Sequence, residues 1–344
     1  MNLKKIISNS ENESYYIFAD TAFIHQGDIK YLKDLIYAVH SARCDAIKFQ
    51  LLFKIDDSYS RKLDHYDEIR SWCFSQDEWL ECILYAKSLG LEVILLPIDP
   101  SALDFCIDNL NLVEAIEIHS ISLNEIPMLE KIKTLTNIPI LLGIGGRTID
   151  EIDFALSYID PKNYPILMYG IQNFPTIVKN ITLSKIQTLK SVFRCTLGYA
   201  DHTHYNDSYN VLLIEYAYIL GARVFEKHIA LESGVKRVDY EAAVSVKDLL
   251  EIRERLDRLV SILGKSTRFL LANSDMMYRK REKKLVYANQ LHNGEIISAE
   301  VIKYIVHPEE SDFEQKDYLK IIGKMLSRDV CEGDPVKTTD FHEN

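Results

Sequence analysis

Short, nearly continuous apolar runs recur along the chain, each followed by a stretch with helical spacing. The runs are YYIFAD (15–20), AIKFQ (46–50), EVILLPID (92–99), AIEIHS (115–120), PILLGIG (139–145), PILMYG (165–170), CTLGYADH (195–202) and RVFEKHIA (223–230). Apolar runs of this length, without polar alternation, read as strands buried on both faces, as in a parallel sheet. Helices are predicted near 28–43, from Ser75 to Gly90, near 101–109, near 124–135, after Thr148, over 182–193, up to Gly221, and from Ser245 to about Leu263. Ser75 with Glu78, and Thr148 with Glu151, have the capping-box spacing that satisfies the free N–H groups of a first helical turn, and Gly90 and Gly221 supply left-handed stops. Eight strands alternating with eight helices predict an α/β protein, a (β/α)8 TIM barrel, since eight is the number that closes. The alternative is an open doubly wound sheet, but the first run is not followed by G-x-G-x-x-G.

From about residue 283 the pattern changes. LVYANQLHNGEIISAEVI reads as strand, Asn-Gly turn, strand and the start of a helix. KIIGKMLSRDVCEGDPVKTTDF repeats that sense around a Gly-Asp-Pro turn. The expected organisation is a barrel over 1–272, a polar linker over 273–284 and a small β-rich module over 285–344.

Length and charge narrow the possibilities. A chain of 344 residues accommodates a barrel of about 250 residues plus a small module. Its net charge of −11 repels a phosphate backbone, so nucleic acid is not an expected partner. The basic run at 279–284 is interrupted by Glu282 and reads as a solvated face. Six cysteines without a C-x-x-C pair fit a reducing compartment, and cytoplasmic placement is the expectation. MNLKKIISNSENES is too polar for a signal peptide, and the chain lacks an apolar run long enough for a membrane.

In such a barrel the side chains at the C-terminal strand ends form the active site. Those positions hold Asp20, Lys48, Gln50, Asp99, His119, Ser120, Tyr169, Asp201, His202, Glu226 and His228. Burying so many polar groups is costly unless they pair or serve chemistry. Lys48 and Gln50 share a strand face, as do Glu226 and His228. His202 ends the seventh run and His228 lies near the end of the eighth. Neighbouring strands are about 4.8 Å apart, so these imidazoles can share one divalent metal. With Asp20, Glu226 or Asp239 and water, such an N/O shell suits Mn or Mg better than structural Zn. The competing reading is two core histidines bonded to carboxylates. Lys48 either holds an anion, forms a Schiff base, or pairs with Asp20 or Glu226. His25, in IHQGD, is either a substrate contact or a solvated loop residue.

These residues resemble the sialic acid (N-acetylneuraminate) synthases, phosphoenolpyruvate-dependent enzymes that carry a C-terminal antifreeze-like (SAF) domain. The likeness covers nearly the whole chain and rests on FADTAFIHQGD, DAIKFQ, GYADHT and GARVFEKHIALE in that order, with the NGE and GDP turns of the tail. It implies condensation of phosphoenolpyruvate with an N-acetylated amino-sugar aldehyde, with a divalent metal, Mn or Mg, polarising the aldehyde oxygen. Carried over residue by residue, His202 and His228 are the metal ligands, and Asp20, Lys48 and Glu226 are the catalytic candidates. His25, Gln50, Ser120, Gln172, Phe174, Asp201, Asp239 and His307 are the substrate-binding candidates. The resemblance also implies a domain-swapped homodimer with the module over a neighbouring barrel.

The departures fall on the family's phosphate cradle. Glu117 stands for a lysine, Leu96 for a threonine, Gly143 and Ala200 for serines, Gln172 for an asparagine, and His307 for an arginine. Exchanging lysine for glutamate moves the local balance by two charges, each worth several kcal/mol at close range in a partly dry site. The other reading is that Glu117 points outward and another cation has moved in. Three functions follow: a divergent nonulosonic acid synthase, a metal-dependent aldolase or lyase that does not use phosphoenolpyruvate, or a non-catalytic homologue.

Overall fold

The computed structural model describes residues 2–8, 14–173, 175–264 and 270–342. These residues form two compact units, divided between Lys265 and Ser266.

In the first unit a short helix α1 (Leu3–Ser8) precedes β1 (Tyr16–Asp20), α2 (Ile29–Ser41) and β2 (Ala46–Leu51). Then come α3 (Tyr66–Ser71), α4 (Gln76–Ser88), β3 (Glu92–Pro97), α5 (Pro100–Asp108), β4 (Ala115–Ile118) and α6 (Ile126–Lys133). They are followed by β5 (Ile140–Gly143), α7 (Ile149–Leu156), β6 (Ile166–Gly170), α8 (Lys185–Val192), β7 (Thr196–Asp201) and α9 (Leu213–Leu220). Last are β8 (Val224–Ile229), a two-residue β9 (Ala243–Val244) and α10 (Val246–Leu263). The strands pair in chain order, all parallel, and β1 also pairs with β8, which closes the barrel.

Local chemistry sets the helix starts. Ser75, Thr148 and Ser245 form capping boxes with Glu78, Glu151 and Asp248, and Asp99 caps α5 ahead of Pro100. Gly221 ends α9 at φ 113, a conformation that favours glycine.

Strand alternation divides the core in two. Outward residues such as Ile17, Ile47, Leu95 and Phe225 pack against the helices. Inward residues, among them Tyr16, Phe18, Ile94, Leu141, Ile166 and Val224, fill the barrel. Helix α1 plugs the N-terminal end: Leu3 and Ile6 join the inner cluster, and Glu92 accepts bonds from the Tyr16 hydroxyl (2.6 Å) and the Leu3 N–H (3.1 Å). Six residues are too few for a helical period to show in the sequence. With one end filled by side chains, polar groups have room only at the C-terminal mouth.

In the second unit, residues 273–284, expected as a polar linker, carry helix α11 (Asn273–Arg279). The tail pairing departs from the predicted hairpin. Strand β10 (Lys284–Tyr287) pairs antiparallel with β11 (Ile302–Ile305) rather than across the Asn-Gly turn. The turn at Asn293–Gly294 is present, but its flanks bridge to distant residues, Leu291 to Val330 and Ile296 to Met325. Local turn chemistry was read correctly, while the partner strands came from elsewhere in the chain. A short helix α12 (Tyr318–Ile321) and the apolar residues Leu285, Tyr287, Ile297, Leu326 and Val336 complete this unit's core.

Candidate active site at the barrel mouth

The site begins with strand register. Asp20, the last residue of β1, stands opposite Lys48 on one side and His228 on the other. All three face inward, so their side chains meet above the core. Lys48 is only 2% exposed, and its ammonium lies 3.2 Å from Asp20, 2.9 Å from Glu117 and 2.8 Å from Glu226. Gln50, two residues on and therefore on the same face, donates to Asp20 at 2.9 Å.

Burial alone would lower the Lys48 pKa, but Asp20, Glu117 and Glu226 outweigh it and hold it well above the ordinary lysine value. Lys48 is therefore a fixed ammonium, unsuited to a Schiff base, and takes the ion-pair alternative with both expected partners and a third. Asp20 is also opposed by burial, yet Lys48 and His228 keep its carboxyl below the usual range. Burial pushes Glu117 up against the pull of Lys48. Burial, with Glu117 and Asp20 adding to it, pushes Glu226 up to about 8. Desolvating ions costs several kcal/mol each, and apolar residues of similar volume are often as stabilising. Stability alone does not explain this cluster.

Beside it stand two imidazoles. The rings of His202 and His228 meet edge to face with centroids 4.8 Å apart. Ligand atoms of His202, Glu226 and His228 all lie within 4.8 Å of one another. His228 Nδ1 is buried without a hydrogen-bond partner, while Nε2 is 3.6 Å from Asp20 and 4.0 Å from Glu226. Burial, then His228 and Lys48, drives His202 well below the ordinary histidine value, leaving it neutral. Two imidazoles, one of them neutral, with an orphaned nitrogen and a carboxylate fit a divalent cation.

A cavity of about 130 Å³ opens here, lined by Asp20, Lys48, Gln50, Gln172, His202, Glu226, His228 and Asp239 among others. Asp239 follows β8 in the left-handed region at φ 59, and burial raises its carboxyl pKa against the pull of His228.

Other expected contacts lie elsewhere. On β7 the alternation turns Ala200 and His202 inward and Asp201 outward. There Asp201 pairs with Lys227 at 3.0 Å and accepts from the Thr203 hydroxyl at 2.6 Å, so it is not a wall of the cavity. His25 is fully buried, stacked on Phe74 at 4.7 Å with Trp79 at its edge, and does not line the cavity either. Burial, then Arg237, lowers its pKa to about 4. Ser120 is buried, and its carbonyl accepts from Arg147 Nε at 2.7 Å. His307 belongs to the second unit, where its ring accepts from the Glu309 N–H at 3.1 Å. Phe174 lies outside the described residues.

The residue underweighted in the sequence is His119, which lines the cavity where Ser120 was expected. Strand parity signals it, because Glu117 faces inward and a residue two positions on shares that face. Glu117 itself settles its own question by bonding Lys48. Gly143 and Ala200 also line the cavity. A Cβ on Gly143 would meet the Ser120 N at 2.8 Å, so this backbone does not admit a serine there without shifting. Leu96 packs with Leu52, Ile55, Tyr66 and Ile98.

Comparison with known proteins agrees with this architecture. The chain is 28% identical over 296 residues to an uncharacterized protein of Methanocaldococcus jannaschii, covering 86% of this chain and 85% of that one. It is 23% identical over 338 residues to the N,N'-diacetyllegionaminic acid synthase of Legionella pneumophila, covering 92% of each. A crystal structure from Chromobacterium violaceum, assigned to spore coat polysaccharide biosynthesis, superposes with a TM-score of 0.82 at 18% identity, covering 96% of this chain and all of that one. The NeuB family model matches residues 35–268, a span that takes in most of the barrel and the mouth residues from Lys48 to Asp239, and the chain belongs to the NeuB family.

Proposed function

We propose that this protein is a divalent-metal-dependent enzyme of the nonulosonic acid synthase type, forming a carbon–carbon bond at the aldehyde carbon of an N-acetylated amino sugar. The observation that carries the reading is the convergence of His202, Glu226 and His228 at the mouth of a closed barrel. These three would hold the cation, Mn or Mg, and when bound it supplies Lewis-acid polarisation of the aldehyde oxygen. The chain's own residues do the remainder. Asp20 and Lys48 fix the floor of the cavity and hold Glu226 in place. Glu226 keeps its Oε2 on the Lys48 ammonium at 2.8 Å, which favours the charged carboxylate that a cation needs. Asp239 and Gln172, on the cavity wall, orient the sugar.

The resemblance implies phosphoenolpyruvate as the three-carbon donor. One observation favours the second reading, a metal-dependent aldol reaction without it: Glu117 bonds the lysine that a phosphate would need. The test is to incubate the protein with Mn, N-acetylmannosamine or related amino-sugar aldehydes, and either phosphoenolpyruvate or pyruvate, and to look for the elongated keto acid. Absence of product from every pairing, or undiminished product from the His202→Ala variant, overturns the proposal. The SAF identity of the second unit and the domain-swapped dimer belong to the same reading, and a monomeric mass in solution contradicts the dimer.

A further inference from the structure

We infer that His119 is a substrate-binding residue of the barrel mouth, whose ring Nε2–H donates a hydrogen bond to a substrate oxygen on the wall opposite the candidate cation ligands. This rests on the preceding reading of the mouth as a carbon–carbon bond-forming site and adds a residue outside the set that the resemblance carries over.

The tautomer follows from one contact. His119 Nδ1 accepts from the Ile121 N–H at 3.2 Å. A backbone N–H only donates, so Nδ1 carries no proton, and the ring is neutral with its proton on Nε2. Burial, then Lys48, lowers the pKa of this ring to about 4, in agreement with that assignment. Among the described residues nothing is hydrogen-bonded to Nε2, and the ring lines the cavity. An N–H left without an acceptor when a ligand displaces water is costly, so a ligand oxygen opposite it is favoured.

The ring is also held in place. The Ser122 N–H bonds the His119 carbonyl at 3.0 Å, closing a tight turn over Ser120–Ser122, and Arg147 Nε donates to the Ser120 carbonyl at 2.7 Å. A donor fixed before binding loses little side-chain freedom when its acceptor arrives. Strand β4, which delivers His119, is the fourth from β8 in either direction around the closed barrel, so the ring meets the cavity from the side opposite His228. A substrate held at one end by the candidate cation meets this wall with its other end. The neighbours of His119 supply no equivalent donor there: Glu117 is bonded to Lys48, and Gly143 and Met168, from the next two strands, bring no N–H side chain to the cavity. The oxygen belongs either to the sugar or to its three-carbon partner, and the chemistry they share is a hydrogen-bond acceptor.

The experiment uses the full-length protein with Mn. Titration calorimetry measures binding of N-acetylmannosamine and, separately, of phosphoenolpyruvate to the unaltered protein, His119→Phe and His119→Gln. Phenylalanine keeps a ring without the N–H, and glutamine places an amide N–H near the Nε2 position. Both replace the Nδ1 that accepts from Ile121, so the difference between them isolates the Nε2 proton. His119→Phe is expected to bind at least one of the two ligands about five-fold more weakly, as the loss of one neutral hydrogen bond gives, and His119→Gln to stay within about two-fold of the unaltered protein. The titration that weakens identifies which ligand supplies the oxygen. Nitrogen-15 NMR is expected to show the His119 ring as the Nε2–H tautomer, with a resonance that shifts on adding that ligand. Undiminished binding of both ligands by His119→Phe, equal weakening by the two variants, or a ring protonated on Nδ1 overturns the inference. If the unaltered protein takes up Mn and binds a ligand that His119→Phe binds as tightly, this inference alone fails. If the unaltered protein takes up no Mn and binds neither ligand, the preceding reading fails with it.

Discussion

His202 and His228 approach edge to face, with ring planes at 86°. Adjacent strands in fixed register produce this: Ala200 pairs with Glu226, and each histidine lies two residues beyond, on the inward face. If the pair binds a cation, the native state alone gains that energy, about 2.7 kcal/mol when the ion is at a hundred times its Kd. Melting curves in Mn and in EDTA are expected to separate by several degrees for the unaltered protein. His202→Ala and His228→Ala are each expected to abolish most of the separation. A separation that survives both places the ion elsewhere.

The opposite face of the same two strands carries its own charged pair. Asp201 and Lys227 are both buried, 3.0 Å apart, one residue from His202 and His228 respectively. Lys227→Met strands a carboxylate in an apolar layer, and breaking a buried pair in this way costs about 3–5 kcal/mol. Asp201 keeps three other donors, the Thr203 N–H and hydroxyl and, at 3.4 Å, the Tyr199 hydroxyl, so the lower end is expected. The double variant Asp201→Asn with Lys227→Met removes the stranded charge and should recover more than half of that loss in denaturant titrations. Additive losses would show that the two residues do not act as a pair.

These two sites mark what the chain discloses on inspection. The barrel was legible because its strands are buried apolar runs and several of the helices between them start at side-chain caps, and parity alone predicts that Lys48 and Gln50, or Glu226 and His228, share a face. Parity also decides against Asp201 once His202 faces inward, and in favour of His119 over Ser120; motif likeness had named Asp201 beside His202, and Ser120 rather than His119. The partners of Lys48 were harder to see. They come from positions 20, 117 and 226, and only closure of the sheet and its register bring them together. The tail was least legible, because its turns are local but its bridges join Leu291 to Val330 and Val286 to Pro335.

The second unit has a polar anchor of its own. Asp340 is buried and accepts from the Tyr287 hydroxyl at 2.9 Å, Arg328 Nε at 2.7 Å and the Lys337 N–H at 2.7 Å. Asp340→Ala leaves the Tyr287 hydroxyl without its acceptor inside the core, at a cost of about 1–3 kcal/mol, with more from the lost charged bonds. Calorimetry is expected to show an earlier transition for this unit. The barrel's Mn response should be retained. Loss of that response in the variant would mean that the barrel depends on the integrity of the second unit.

His25 supplies a pH prediction whose sign is fixed by burial. Its pKa falls from 6.5 to about 4 in the folded protein, through burial and then Arg237. Between those values the unfolded chain binds a proton that the native state refuses, so stability is lost as pH falls from 6.5 towards 4. At about pH 5 the loss from this one residue is about 2 kcal/mol. Glu226, with its pKa raised, acts in the opposite sense, destabilising as pH rises from 4.5 towards 8, so the total pH profile does not isolate the histidine. Comparison with His25→Gln does. That variant is less stable at about pH 7.5, where packing and the Gly27 N–H bond to the ring differ but protonation does not. By about pH 5 its disadvantage should shrink by about 2 kcal/mol in denaturant titrations, because it has no imidazole to protonate on unfolding. A gap that stays constant between the two pH values would mean that His25 is protonated as readily in the folded protein as in the unfolded chain.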